Sequence, residues 1–310
     1  MEDKIEIMDL LQNRQLLEHK LESLIYGSVE IRERDNKKYI YIHYRENGIS
    51  LTKYVGEYSE ELYNLILNNS IEAKKIKKEL REISKKLKEL NYKETELNPK
   101  VELNIDFAKR HLVDTIYKQA ILEGVATTFA DTESIIEGGK VNNMTSEDIM
   151  KVVNLKHAWE FILNKNVILS ETNFGLLCQI NKFVEEGFYY SAGKIRSVPV
   201  TIGGTKWAPS LPIESIIKEE LEDILKKDIN DVDKAIELLL YVMKKQIFID
   251  GNKRTAIIFI NHYLISKGKG IIVIPAELTE EFKKLLIQYY EGKDEKKIKE
   301  FIKEKCYMSI

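Results

Sequence analysis

The chain has 310 residues, 44% of them hydrophobic, and 48 Lys+Arg against 50 Asp+Glu leave a net charge of -2. That balance excludes a dedicated nucleic-acid or anionic-membrane binder, which would carry a strong basic excess. Two cysteines, Cys178 and Cys306, are too few for a disulfide framework and point to a reducing cytoplasm.

The opening MEDKIEIMDLLQ lacks the basic region and apolar run of a signal peptide. The longest apolar stretch, residues 256–265, is interrupted by Asn261 and His262 and is too short to span a bilayer. The expectation is a soluble cytoplasmic protein of about two domains.

Residues 4–26 read as a helix with Ile7, Leu10, Leu11, Leu17, Leu21 and Leu24 on one stripe. Residues 28–56 alternate β-branched and aromatic side chains around Asp35-Asn36 and Glu46-Asn47-Gly48, the pattern of a three-stranded meander. From Leu62 to Leu90 the apolar positions step by four and three, an a/d seam over about four heptads. Two uses remain open for this coiled-coil-like seam: packing on the 4–26 helix of the same chain, or homodimerisation or a partner helix. The lysines at 74, 75, 77 and 78 lie between Glu72 and Glu79 and read as a solvated face. Tyr39, Tyr41 and Tyr44, with Arg45 and Lys53, offer a partner-binding face or simply pack the meander.

Asn98-Pro99 marks a domain boundary, so residues 1–98 and 99–310 are read as separate domains. The second is mainly α. Helices are expected near 104–131, 145–164, 170–187, 212–227, 231–246, 253–267, 277–290 and 294–305. Ser170 is read as an N-cap and Pro212 as a first-turn residue. The exception is residues 192–210, where Val198, Val200 and Ile202 alternate before Gly203-Gly204. That segment reads as a small β-hairpin, which cannot stand alone and must lie against something.

The most informative segment is Gln246-Ile-Phe-Ile-Asp-Gly-Asn-Lys-Arg254, which joins an apolar helix to one that is apolar almost all round. A buried helix opening on Gly251, Asn252, Lys253 and Arg254 aims free N–H groups, its dipole and two cations at one place. A polyphosphate needs that combination. Asp250 beside it is placed to hold Mg²⁺, and Phe248 reads as the anchor of the loop. On the residues alone, an ordinary turn and cap remains the other reading.

This segment resembles the Fic/Doc family motif His-x-Phe-x-Asp/Glu-Gly-Asn-Gly/Lys-Arg at Phe248, Asp250, Gly251, Asn252, Lys253 and Arg254. Glu137-Gly138 resembles the family's inhibitory glutamate, and Val153-Asn154-Leu155 with Ala158 the helix that follows it. Gly193-Lys-Ile-Arg196 and residues 200–205 resemble its flap, and residues 274–290 its C-terminal helices. Together these span about residues 105–305. The resemblance implies a Fic-type helical bundle with a β-hairpin flap, moving AMP from Mg-ATP to a Ser, Thr or Tyr hydroxyl of a target protein. Gln246 and Arg254 would stand at the reacting centre, Asp250 would hold Mg²⁺, and Gly251, Asn252, Lys253 and Arg254 would cradle phosphates. Val200, Thr201, Ile202, Gly203 and Gly204 would hold the target segment extended.

Two departures bear on activity. Gln246 stands where the family has the His that takes the hydroxyl proton, and loss of a general base costs roughly 10²–10⁴-fold. Ile257 stands where many members have a second Arg, and Glu137 is preceded at the fourth position by Glu133, not Ser or Thr. Lys253 or Arg254 would then be the partner of Glu137. Two further functions follow: a non-catalytic nucleotide-binding regulatory module that kept the nest and lost the base, or a Doc-like kinase that runs the nucleotide the other way round.

Overall fold

The computed structural model describes residues 2–34, 37–46, 49–92, 97–142 and 144–310. The chain forms two compact units, residues 1–93 and 94–310.

In the first unit, helix α1 (Glu2–Ser23) precedes strands β1 (Ser28–Arg34), β2 (Lys37–Glu46) and β3 (Ile49–Glu57), followed by α2 (Glu60–Glu89). The Asp35-Asn36 turn, and Asn47-Gly48 of the second turn, lie outside the described residues. The strands pair antiparallel in the order β1-β2-β3. Period-two alternation decides what each face does. Ile40 and Ile42 are buried against Ile66, with Val29, Tyr44, Val55, Leu62 and Tyr63 around them. Tyr39 and Tyr41, of opposite parity, instead meet Tyr54 at centroid distances of 6.2 and 5.4 Å. Tyr44 therefore belongs to the core side and not with the other two tyrosines.

Helix α2 starts where Ser59 accepts from Leu62 N–H at 3.1 Å and ends with Lys86 and Lys88 in its last turn. The a/d seam is buried within the chain at Ile66, Ala73, Ile76, Ile83 and Leu87, where α2 packs on α1 and its buried Leu10 and Leu11. Each fully buried Ile or Leu contributes about 1.5–3 kcal/mol.

In the second unit the helices are α3 (Pro99–Arg110), α4 (Leu112–Leu122), α5 (Phe129–Ile136), α6 (Ser146–Leu163), α7 (Lys165–Ile168), α8 (Phe174–Val184) and α9 (Glu214–Lys226). They continue with α10 (Asp231–Lys245), α11 (Asn252–Ser266), α12 (Thr279–Tyr290) and α13 (Glu295–Lys305). Strands β4 (Ile271–Ile272) and β5 (Tyr307–Met308) pair antiparallel. No helix among the described residues is long and apolar enough to cross a membrane.

Helix α11 is central, packed against α10, α8, α6, α3 and β4. That position explains its all-round apolarity, and the two polar side chains in its C-terminal half that are fully buried, Asn261 and His262, are satisfied. Asn261 donates to Ile257 O and Ile272 O and accepts from Ile272 N–H. His262 is fully buried between Thr172 Oγ1 (3.0 Å) and Val167 O (2.8 Å), and burial holds its pKa down at about 4. It is a core histidine.

Three expectations are corrected. The helix read over 104–131 is three helices: the chain breaks at His111 between α3 and α4, and then Gly124 (φ +78°) ends α4 and Thr128 caps α5 by accepting from Asp131 N–H. Ser170 is not an N-cap: its hydroxyl donates to Val167 O, and Asn173 caps α8 by accepting from Leu176 N–H. Residues 192–210 form no ladder, although small antiparallel pairs do accompany the helices elsewhere. The buried Arg196 accounts for this, donating to Val198 O (2.8 Å) and Ser210 O (2.7 Å). A guanidinium thus bridges the two arms where cross-strand amides would otherwise bind, and Pro199 removes one amide donor.

Candidate functional site

The loop from Gln246 to Gly251 is bracketed by two left-handed residues, Gln246 (φ +47°) and Gly251 (φ +71°). The first lets α10 stop; the second turns the chain into α11. Arg196 fastens the near side, donating from Nε to Gln246 O (2.6 Å) and from its backbone N–H to Ile247 O (3.0 Å). Ile247 and Phe248 are buried, so Phe248 sits where an anchor would.

Asn252 is buried and its amide is spent inside the loop. Oδ1 accepts from Phe248 N–H (2.9 Å), while Nδ2 donates to Phe248 O (2.9 Å) and Gln246 Oε1 (3.2 Å). It braces the loop through its side chain and offers a ligand only its backbone N–H. Asn181 fastens the far side, donating to Asp250 O and Thr255 Oγ1 and accepting from Gly193 N–H at the start of the flap.

Gln246 opens the loop with its amide held on both sides. Nε2 donates to Met243 O at 2.7 Å and Oε1 accepts from Asn252. Its amide also meets the hydroxyl of buried Tyr290, whose pKa is pushed far up by burial first and by the Glu123 charge second.

The charged groups gather at the first turn of α11. Arg254 is 3% exposed, with Nη2 2.8 Å from Glu185 Oε1 and 3.6 Å from Asp250 Oδ2. Lys253 Nζ lies 3.3 Å from Glu123 Oε2, which is 3.9 Å from Arg254 Nε. Arg254 Nε and Nη1 are buried without a hydrogen-bond partner, as are Glu123 Oε1 and Glu185 Oε1. The Glu185–Arg254 pair is therefore close but not aligned for a hydrogen bond. Burial removes more hydration from Glu185 than the arginine returns, pushing its carboxyl up to about 7.

Gly251 caps α11 without any side-chain acceptor, so the first N–H groups of the helix donate no hydrogen bond to a cap side chain. A Cβ built on Gly251 would fall on the Glu185 carboxylate and 2.9 Å from Val184 Cγ1. Glycine is needed for the positive φ and for the closeness of that carboxylate.

The residues present fit a polyphosphate: a buried guanidinium with two unpartnered nitrogens, a helix N-terminus without a cap, and Lys253. The Asp250 side chain is 53% exposed, with Oδ1 accepting from Gly251 N–H at 2.7 Å. Among the described residues no group of three His, Cys, Asp or Glu side chains forms a metal cage. Mg²⁺ does not require one, since it is commonly held by one or two carboxylates together with substrate phosphates.

Glu137 is exposed at the end of α5, and among the described residues it forms no ion pair with Lys253 or Arg254. The carboxylates on Lys253 and Arg254 are Glu123 and Glu185, both missed from sequence. Glu123 ends α4 in a second Glu-Gly pair, Glu123-Gly124. One turn earlier, Gln119 donates to Arg254 O (2.8 Å) and accepts from Trp159 Nε1–H (2.9 Å), tying α4 to α11.

The flap residues Val200, Thr201, Ile202, Gly203 and Gly204 run without regular structure toward α12. A Cβ on Gly204 (φ +83°) would come 2.9 Å from Ile287 Cδ1. Thr205 Oγ1 donates to Glu291 (2.9 Å), and Trp207 stacks on Tyr290 at 5.3 Å. Lys244 Nζ lies 4.6 Å over the Tyr289 ring and donates to Tyr289 O at 3.1 Å.

Residues 171–264 match the family model for Fic/DOC. No match is found among curated proteins. Among solved structures, a Fic-1 segment from C. elegans is 16% identical with a TM-score of 0.52, over 78% of this chain and 79% of that one. A Fic domain containing signaling protein from Bacteroides thetaiotaomicron VPI-5482 is 20% identical, TM-score 0.50, covering 62% and 75%. A Fic family protein from Desulfovibrio desulfuricans G20 is 13% identical, TM-score 0.51, covering 68% and 73%. At these identities the likeness is one of fold.

Proposed function

We propose that this chain, which carries a Fic/DOC-family domain at residues 171–264, transfers AMP from Mg-ATP to a hydroxyl of a target protein. The observation that carries the reading is Arg254: a buried arginine with two unpartnered nitrogens, at the uncapped N-terminus of a buried helix. Arg254, Lys253 and the backbone N–H groups from Asn252 onward bind and orient the phosphates. Asp250 would hold Mg²⁺, which when bound neutralises charge on the phosphates and the leaving pyrophosphate. The flap, pinned to α12, presents free backbone to an extended target segment.

Gln246 limits the rate. Its Oε1 has a second lone pair that orients the acceptor hydroxyl but cannot take its proton at neutral pH. Phosphoryl-type transfer through a loose transition state depends mostly on positioning and charge, so transfer survives at a reduced rate. Glu123 takes the inhibitory role that the resemblance assigned to Glu137, because it holds Lys253 and lies against Arg254.

A second reading, a nucleotide-binding module without transfer, is favoured by the Gln246 amide being engaged by both Met243 and Asn252. ATP labelled at the α-phosphate separates the two, comparing this chain with Gln246→His and Asp250→Ala in a cell lysate. Label from this chain that Asp250→Ala loses supports transfer. Label from Gln246→His alone supports the module. Label from none of them, with transfer from γ-labelled ATP, supports phosphoryl transfer in its place.

A further inference from the structure

The solvent face of the N-terminal sheet carries a carboxylate, an imidazole and a hydroxyl in series. Glu30 Oε2 lies 2.7 Å from His43 Nε2, and His43 Nδ1 lies 2.9 Å from Thr52 Oγ1. Register produces the series: His43 of β2 faces Thr52 of β3 directly, and Glu30 of β1 is its diagonal neighbour on the same face. Arg32 fixes Glu30 from the other side with two bonds, Nε to Oε1 (3.0 Å) and Nη2 to Oε2 (2.9 Å). Arg32 is itself held 4.4 Å over the Tyr41 ring.

These contacts determine the proton positions. Arg32 first and His43 second keep the Glu30 carboxyl ionised, down to about 2, so that it only accepts. In the neutral imidazole the N–H must then be on Nε2, leaving the Nδ1 lone pair to accept from the Thr52 hydroxyl. An oriented base beside a hydroxyl is how a weak oxygen nucleophile is activated. Thr52 is exposed, and it lies on β3, an extended edge strand of the three-stranded sheet.

Resting on the transferase reading above, we infer that Thr52 of one copy of the chain is an acceptor of the AMP that a second copy transfers, with His43 of the acceptor copy supplying the base that Gln246 cannot be. In the step, Thr52 Oγ forms a bond to the α-phosphorus of ATP while the bond from that phosphorus to the bridging β-oxygen breaks. Pyrophosphate leaves, and the hydroxyl proton passes to His43 Nδ1, on the ring edge opposite the Nε2 that faces Glu30. A hydroxyl that brings its own base is selected by a site that has none.

The test mixes two full-length proteins with α-labelled ATP and Mg²⁺. Thr52→Val serves as donor, with an intact nucleotide site. Asp250→Ala serves as acceptor, with an intact sheet, and the adduct is located by peptide mass spectrometry. The expected result is AMP on Thr52 of the acceptor, kept by Thr52→Ser and reduced about 10²-fold by His43→Gln in the acceptor. Glu30→Gln in the acceptor reduces it too, and circular dichroism of each acceptor checks the fold. Label on other residues but not on Thr52 overturns this inference and leaves the transferase reading intact. Label on Thr52 that is indifferent to His43→Gln and Glu30→Gln overturns the role of the base. No transfer to any protein, even with a donor that also carries Gln246→His, overturns the transferase reading and this inference with it.

Discussion

Glu185 Oε1 and Arg254 Nη2 stand 2.8 Å apart, both side chains 3% exposed, directly behind the glycine that opens α11. The pair makes the helix start both charged and tightly packed. Its carboxylate half is short of hydration, which gives the domain a pH dependence.

The Glu185 carboxyl is raised to about 7 from an ordinary 4.5, burial being the largest cause. The folded state therefore binds more protons than the unfolded chain between these two values. Its stabilising contribution is full below about 4.5 and is lost as the pH rises through 7. Thermal melts should show stability falling over that window, and Glu185→Gln should flatten the fall. A profile unchanged by the substitution would assign the slope to other groups.

Gly251→Ala should destabilise through two effects that a control separates. The positive φ costs about 1–3 kcal/mol for a residue with a Cβ, and the collision with Glu185 and Val184 adds to it. Gly292, at φ +78° with nothing within 4 Å of a built Cβ, carries only the first cost. Gly292→Ala should lower the melting temperature by a few degrees, at about 2–4 °C per kcal/mol for a unit of this size. Gly251→Ala should lower it more and abolish ATP binding. Equal shifts would mean that the Glu185 contact is soft.

Glu123→Gln should tighten ATP binding, because it releases Lys253 Nζ from a carboxylate 3.3 Å away and relieves Arg254 of a second one. A gain of about 1 kcal/mol corresponds to roughly fivefold in Kd, measurable by calorimetry. Glu137→Gln, at an exposed helix end, should leave the affinity unchanged. The reverse ranking would restore Glu137 to the inhibitory role.

The choice between those glutamates shows what the sequence could and could not disclose. Asp250, Gly251, Asn252, Lys253 and Arg254 are adjacent in the chain, so their convergence at a helix start was legible from spacing and apolar periodicity alone. Glu123 and Glu185 reach the same place from the ends of α4 and α8, and only the packing of those helices decides which carboxylate arrives. Glu123-Gly124 and Glu137-Gly138 look alike in sequence, yet only the first follows Gln119, whose amide ties α4 to the backbone of Arg254. The breaks at Gly124 and Thr128 were also visible, but a continuous apolar period outweighed them. Alternation at Val198, Val200 and Ile202 suggested a ladder because nothing local reveals that Arg196 takes the carbonyls of Val198 and Ser210. Asn252 was read only as a residue that cradles phosphate; that its side-chain amide also braces the loop is disclosed only by its three hydrogen bonds.

Trp207→Ala should separate target recognition from nucleotide binding. The indole stacks on Tyr290 at 5.3 Å with an interplanar angle of 22°, and the Thr205–Glu291 bond is the neighbouring tie between flap and α12. An aromatic pair of this kind contributes about 0.5–1.5 kcal/mol, so its loss frees the flap without unfolding the domain. The substitution uncovers one face of the Tyr290 ring but leaves the contact between its hydroxyl and Gln246, so the phosphate cluster at Arg254 should be undisturbed. The apparent KM for the protein acceptor should then rise about two- to tenfold while Kd for ATP stays constant. A parallel loss of ATP affinity would mean that the flap shapes the nucleotide site itself, and the stack would have to be read as part of that site.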